Sequence, residues 1–365
     1  MSELFKSTKL GDYTLNNKVV MAPMTRSRAI NNAPSELEAT YYSQRAGAGL
    51  IITEGVSPSP NGLGYARISG AYSDEQKAGW KKVADAVHAE GGKIFVQMMH
   101  TGRVSALQNM VDGAEVVAPT TQTKQGDMWT DTDGMVPHTE PREMTSEDIK
   151  QAIEEYVIAS KNMIESGIDG IEIHGANGYL IEQFINPNVN TLTNEYGGDT
   201  IENRSRFLLD VTKAVVEAIG AGKVGVRVSP YGAFGVEEGG VYPQIDETYT
   251  YIAEELSKLG VAYIHVVDHS TMGSPEVPVS IKAKIRAAFN GTYILSGGYT
   301  KETAEADLEA GKGDLVAFGR AYIANPDLVE RFKQNAELAE GDSSTFYMPG
   351  EKGYTDYPTL AEAEA

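Results

Sequence analysis

Residues 167–180 read GIDGIEIHGANGYL. Gly167 closes one element, a short and mostly apolar run occupies residues 170–173, and a polar, glycine-rich stretch occupies residues 174–179. A strand buried on both faces has this form, brief and bounded by turn residues. Upstream, residues 146–166 open on Thr145-Ser146-Glu147-Asp148, a capping signature, and run to Gly167, so a helix leads into the strand.

The same unit recurs in both directions. Apolar runs lie at 19–21, 50–53, 93–98, 224–228, 263–267, 293–295 and 315–318, most of them preceding a polar or glycine-rich loop, and with 170–173 they make eight strands. Helical patterns lie between them. Residues 74–90 carry Trp80, Val83, Ala84 and Val87 and stop at Gly91-Gly92. Residues 201–219 carry Phe207, Leu208, Val211, Val215 and Ile219 before Gly220. Residues 246–259 stop at Gly260, and 301–310 at Gly311. Eight strands alternating with helices predict an α/β chain folded as a single (β/α)8 TIM barrel over residues 1–365. A doubly wound open sheet is the competing architecture. The interval from 93 to 170 is too long for one unit. Its surplus, residues 99–144, is rich in Thr, Gln, Asp and Gly and is expected to cap the barrel mouth, with room for a small hairpin. Residues 9–18, KLGDYTLNNK, read as a hairpin lid over the barrel bottom.

Composition narrows the function. With 31 basic and 51 acidic side chains the formal net charge is −20. Nucleic acid and anionic membrane both select clustered Lys and Arg, so neither is an expected partner. No cysteine is present, which excludes disulfides, a catalytic thiol and a cysteine-held iron–sulfur cluster. The first 17 residues carry no basic stretch leading into an apolar core, and no apolar run approaches membrane-spanning length; the expectation is a cytoplasmic protein.

The strand ends carry the residues that could do chemistry. In a barrel of this kind the active site lies on the loops that follow the strands. After the fourth strand, His174 and Asn177 stand three apart, which on a first helical turn would face them the same way, with Tyr179 two further on. Two neutral donors suit a carbonyl or nitro oxygen that gains charge, and a tyrosine can deliver a proton. Equally, His174 could cap the helix and Tyr179 pack in the core. Arg227 sits among valines, where a charge needs a partner: an anionic ligand near the axis, or a carboxylate such as Glu172. Gln97 could read the amide edge of a heterocycle or be satisfied within the barrel. Ser296-Gly297-Gly298 and Phe318-Gly319-Arg320 follow the seventh and eighth strands, where such barrels bind phosphate. There the glycines would admit backbone N–H groups and Arg320 would add charge. Among the six histidines, His265 and His269 flank the sixth strand and read as structural. No metal, nucleophile-elbow, P-loop or dinucleotide signature is found, so no metal site is expected. A phosphate site, a Gln, an Arg and two neutral donors together make a host for flavin mononucleotide (FMN).

The chain resembles the Old Yellow Enzyme flavoproteins, the NADH:flavin oxidoreductases, over nearly its whole length. The resemblance rests on MAPMTRSR (21–28), GLIITE (49–54), HTGR (100–103), HGANGYL (174–180), NEYGG (194–198) with ENR (202–204), FGR (318–320) and NPDL (325–328), and the pattern is similar to the bacterial branch that includes N-ethylmaleimide, pentaerythritol tetranitrate and morphinone reductases. It implies a barrel with non-covalent FMN, reduced by NADPH or NADH, acting on small-molecule alkenes activated by a carbonyl or nitro group. His174 and Asn177 would hold the activating oxygen and Tyr179 would protonate the alkene carbon. Pro23, Met24, Thr25, Gly55, Gln97, Arg227, Gly297, Gly298, Gly319 and Arg320 match flavin-contacting positions, and Tyr65 and Tyr354 match positions lining the substrate pocket. Met99 stands where the family often has Trp, and the donor pair is His/Asn where several bacterial relatives have His/His. A reductase of nitrate esters or nitroaromatics, a flavin-free phosphate barrel and a metal-dependent barrel hydrolase are the other readings.

Overall fold

The computed structural model describes residues 2–236 and 240–363. Eight strands, β1 (Val19–Met21), β2 (Leu50–Val56), β3 (Ile94–Met98), β4 (Gly170–Gly175), β5 (Val224–Val228), β6 (Tyr263–Val266), β7 (Thr292–Ser296) and β8 (Leu315–Phe318), form a closed barrel in chain order. Every pairing is parallel, and β8 returns to β1 through Phe318 opposite Met21. Helices stand between the strands, as the alternation predicts. β2 runs on to Val56, beyond the expected residue 53, because a register shift between Ile52 and Gly55 keeps it paired with β3.

The strands read as apolar runs because both faces are covered. All positions of β1 to β5 are buried. Inward side chains Val20, Leu50, Ile52, Phe95, Tyr263, Ile294 and Leu315 pack together with Leu10 and Leu15. Those two leucines belong to the antiparallel hairpin Thr8–Leu10 and Tyr13–Leu15. Asp12 N–H donates to the Gly222 carbonyl at 3.3 Å and the Tyr13 hydroxyl to the Asp169 carbonyl at 2.6 Å, so the hairpin closes the barrel bottom as expected. Gly225 makes this layer feasible: a Cβ there would lie 2.1 Å from the Tyr263 ring.

The helices follow their start signals. Asp74–Ala89 and Ser146–Glu165 begin with reciprocal caps, Ser73 with Gln76 and Thr145 with Asp148. Glu36–Ser43 and Val279–Ala288 were not legible in the pattern. The first is short, although Ser35 and Glu38 form a cap, and the second buries only Ile281 and Ile285. The excursion after β3 contains the hairpin Asp127–Thr130 and Gly134–Pro137, and a parallel pair, Val117–Ala118 with Arg142–Glu143. Arg67, in the loop after β2, pairs with Asp131 on the hairpin tip and donates to the Tyr347 carbonyl at 2.8 Å. Three distant segments therefore meet at the barrel mouth. Among the described residues no helix is long and apolar enough to cross a membrane.

Candidate active site

Barrel closure places Gln97, Glu172, Arg227 and His265 side by side at the strand ends. Glu172 pairs with Gln97 across β3–β4, and Arg227 lies opposite both His174 and His265. The Glu172 carboxylate accepts from Gln97 Nε2 at 2.8 Å and faces His265 Nδ1 at 2.9 Å. Its oxygens are thus engaged, and the alternative in which Glu172 pairs directly with Arg227 is not adopted. Arg227 is 5% exposed, forms no ion pair among the described residues, and leaves its buried Nε without a partner. Burial pushes the Arg227 pKa down, and the nearby Glu172 charge opposes this. Burial also holds His265 below its ordinary value; Glu172 opposes the shift and Arg227 adds to it. His265 is accordingly neutral, and Arg227 carries the positive charge of the group.

The segment after β4 departs from its expected geometry. His174 is still on the strand, and the helix Leu180–Ile185 starts only after Tyr179. Asn177 (φ 59°) and Gly178 (φ 69°) take the left-handed conformation between them. A left-handed turn, not helical spacing, therefore orients His174 and Asn177. Asn177 N–H donates to Ser229 Oγ at 2.8 Å, Gly178 N–H donates to Glu182 at 2.5 Å, and the Ser229 hydroxyl bonds Glu182 at 2.8 Å. The Tyr249 hydroxyl completes this support at 3.0 Å from Glu182, whose pKa burial pushes up to about 7. Burial, and then the Arg227 charge, lower the His174 pKa well below the usual value, so its ring is neutral. Its Nδ1 has no hydrogen-bond partner among the described residues. Tyr179 packs edge-on to the His174 ring, with centroids 5.0 Å apart, and burial pushes its pKa up to about 12. The Tyr179 and Tyr65 hydroxyls are 3.1 Å apart. Met99 packs in the same cluster as Tyr179 and Tyr65.

Beside these groups lies a cavity of about 440 Å³, within the usual range for small-ligand sites. Pro23, Met24 and Thr25 after β1, Arg227, Gly297 and Gly298 after β7, and Gly319 and Arg320 after β8 all line it. Gly297 and Gly298 have φ of 129° and 68°, and a Cβ on Gly298 would meet Thr271 at 2.5 Å. A Cβ on Gly319 would make ordinary contact with Met24 Sδ at 3.7 Å and Ala22 Cβ at 3.8 Å, without a clash. Gly55 stands opposite Gln97 at the end of β2, against Met99.

Gln97, Gly55, Tyr65, His174, Asn177 and Tyr179 do not line this cavity directly, and neither does Tyr354. It is fully buried, stacked on Tyr41 at 3.9 Å with the Arg28 guanidinium 4.7 Å from its ring. Sequence reasoning missed His269, Ser229 and Glu182. His269 lines the cavity and touches Asn177, whereas the sequence reading treated it as structural. Its one signal was a polar residue directly after a strand end.

Residues 3–339 match the NADH:flavin oxidoreductase / NADH oxidase family. The chain belongs to this family. The family resemblance carried by the motifs is thereby established, and the flavin-free phosphate barrel and the metal-dependent hydrolase fall away. The chain is an NAD(P)H-dependent flavin oxidoreductase whose cofactor is non-covalent FMN. It is 40% identical to 12-oxophytodienoate reductase 7 of Oryza sativa subsp. japonica, an alignment covering 99% of this chain and 96% of the relative. Among solved structures, morphinone reductase superposes with a TM-score of 0.94 at 40% identity, covering 100% of this chain and 98% of that one. The old yellow enzyme homologue from Zymomonas mobilis gives 0.91 at 38% identity, covering 98% and 100%. A further morphinone reductase structure, with a TM-score of 0.92, contains tetrahydroNAD.

Proposed function

We propose that this family member is an ene-reductase that reduces the C=C bond of small alkenes conjugated to a carbonyl or nitro group, in the cytoplasm, with His174, Asn177 and Tyr179 as its catalytic residues. The observation that carries this reading is the buried Arg227, which lines the cavity without a partner among the described residues and lies opposite His174 in the strand register. A guanidinium desolvated without a carboxylate calls for an anionic or strongly polar ligand edge. FMN fits the residues present. Gly297, Gly298, Gly319 and Arg320 would hold its phosphate, Arg227 and Gln97 its polar ring edge, and Pro23, Met24, Thr25 and Gly55 would pack around it. FMN held by these residues would supply the hydride chemistry that links NADH or NADPH to the alkene β-carbon.

The remaining work falls to the side chains. His174 and Asn177 bind the oxygen that gains charge, and neutral donors do so without forming a fixed ion pair with the bound substrate. Tyr179 gives its hydroxyl proton to the α-carbon. Its raised pKa makes it a weak acid, which suits a strongly basic acceptor. Tyr65 is placed to donate to the Tyr179 oxygen as that proton leaves. Because one cavity receives the nicotinamide and the alkene in turn, ping-pong kinetics follow. The test is an anaerobic titration of the purified protein with NADPH followed by cyclohexenone. The expected result is a yellow protein that bleaches and then recovers its colour. A bleached protein that stays colourless with the enone, and with a nitroalkene, would remove the ene-reductase reading.

A further inference from the structure

We propose that His269 is a positioning residue of this site: by donating its Nε2–H to Oδ1 of Asn177, it turns the Asn177 amide into an obligate donor toward the substrate oxygen. The inference rests on the donor role proposed above for Asn177.

The backbone of Asn177 is well held, since its N–H is bonded to Ser229 Oγ, which Glu182 anchors. Those bonds do not decide which way the side-chain amide points. The oxygen and nitrogen of an amide are nearly the same size, and a half-turn exchanges an acceptor for two donors. An Asn177 presenting its oxygen to the cavity would repel a carbonyl or nitro oxygen. In the structure the amide is turned with Oδ1 3.0 Å from His269 Nε2, the orientation that the Nε2–H tautomer of the ring selects. An amide oxygen can only accept, so the ring nitrogen must carry the hydrogen. The Asn177 Nδ2 group makes no hydrogen bond among the described residues and is left for a ligand.

His269 suits the task for a second reason. It follows β6 on the cavity wall, in a loop bonded locally through Ser270 N–H to Asp268. Burial pushes its pKa down to about 4, the Arg227 charge adds to this, and Asp268 opposes it. It therefore donates as a neutral ring and places no second cation beside His174.

The experiment uses the FMN-loaded enzyme and variants, each reduced anaerobically and mixed with cyclohexenone, reading the enone saturation constant and the limiting rate separately. His269→Ala should raise the saturation constant roughly five- to twentyfold, the size of one lost hydrogen bond, with a smaller change in limiting rate. The double variant with Asn177→Ala should be no worse than Asn177→Ala alone, because both act through one contact. His269→Gln, which keeps an N–H donor, should return the constant to within about threefold of the parent. Asn177→Asp keeps an acceptor for His269 but has no donor, and should bind as poorly as Asn177→Ala. If Asn177→Ala is impaired and His269→Ala is not, the positioning role is wrong and the Asn177 reading stands. If Asn177→Ala itself binds enone normally, the Asn177 reading fails first. Should His269→Ala release FMN, His269→Gln decides alone. Recovery supports the inference, and a rise equal to that of Asn177→Ala overturns it.

Discussion

Replacing Arg227 with Met tests the cofactor assignment most directly. Arg227 is 5% exposed at the end of β5 and its Nε has no partner among the described residues. Methionine fills a similar volume without charge, and Glu172 is not stranded, because Gln97 and His265 hold its oxygens. On the proposed role of Arg227, the substitution would remove charge-assisted hydrogen bonds to the flavin ring edge, each with a net value of about 1.5–3 kcal/mol. At 1.4 kcal/mol per decade, FMN should bind roughly 10- to 150-fold more weakly. The reduced ring carries negative charge, so it loses more than the oxidised ring does. A differential of about 1.5 kcal/mol lowers the two-electron potential by roughly 30 mV. Arg227→Lys keeps the charge but not the planar fork and should fall between. FMN affinity is read from quenching of flavin fluorescence on titration with apoprotein, and the potential from equilibration with a reference dye. An Arg227→Met protein with parental affinity and potential would show that the orphaned guanidinium does not face the flavin.

Other expectations follow from the same geometry. Tyr179→Phe should slow enone reduction by roughly 10²- to 10⁴-fold while sparing flavin reduction by NADPH; stopped-flow comparison of the two half-reactions checks this, and equal slowing of both would refute it. A Cβ on Gly178 would lie 2.4 Å from the Gly235 backbone, at a φ of +69°. Gly178→Ala should therefore displace the His174–Asn177 loop, raising the enone saturation constant at least about tenfold with FMN retained; the left-handed conformation alone costs about 1–2 kcal/mol. Burial, and secondly Glu38, pushes the Glu54 carboxyl up to about 8 from 4.5. A raised folded pKa means that the native state prefers the protonated form. Its contribution is present in full below about pH 4.5 and is lost as pH rises through about 8. Glu54→Gln should then gain melting temperature relative to the parent at pH 9 compared with pH 5, a difference worth a few kcal/mol at about 1.4 kcal/mol per pKa unit. Scanning calorimetry at both pH values checks it, and an identical offset at both would refute the buried-charge argument.

The barrel was legible because its signals are local. A strand covered on both faces must be apolar, and a helix must announce its ends to satisfy its free N–H and C=O groups. The run at 170–173, the cap at Thr145 and the glycine stops needed no knowledge of distant residues. His174, Tyr179, Arg227 and Gly319 were singled out for the same reason, as unusual residue types at predicted strand ends. The turn after β4 was misread because Asn177 and Gly178 adopt positive φ, which the His-to-Asn spacing conceals although the Asn-Gly pair permits it.

What joins those residues into a site was decided in three dimensions. Gln97 meets Glu172 across 75 residues, His265 meets Glu172 across 93, and His269 meets Asn177 across 92. No sequence period links such positions. They become neighbours because parallel strands in register close into a ring and bring every strand end to one mouth. The same packing stacked Tyr354 on Tyr41 and beside the guanidiniums of Arg26 and Arg28. The sequence by itself determined the strand and helix pattern and which residue types the strand ends carry, because those obey short-range periodicity. Only the closed barrel decided that Glu172 is taken by Gln97 and His265, which leaves the Arg227 Nε unpaired among the described residues, because a hydrogen-bond partner is settled by which side chain the fold holds at the distance and angle the bond requires.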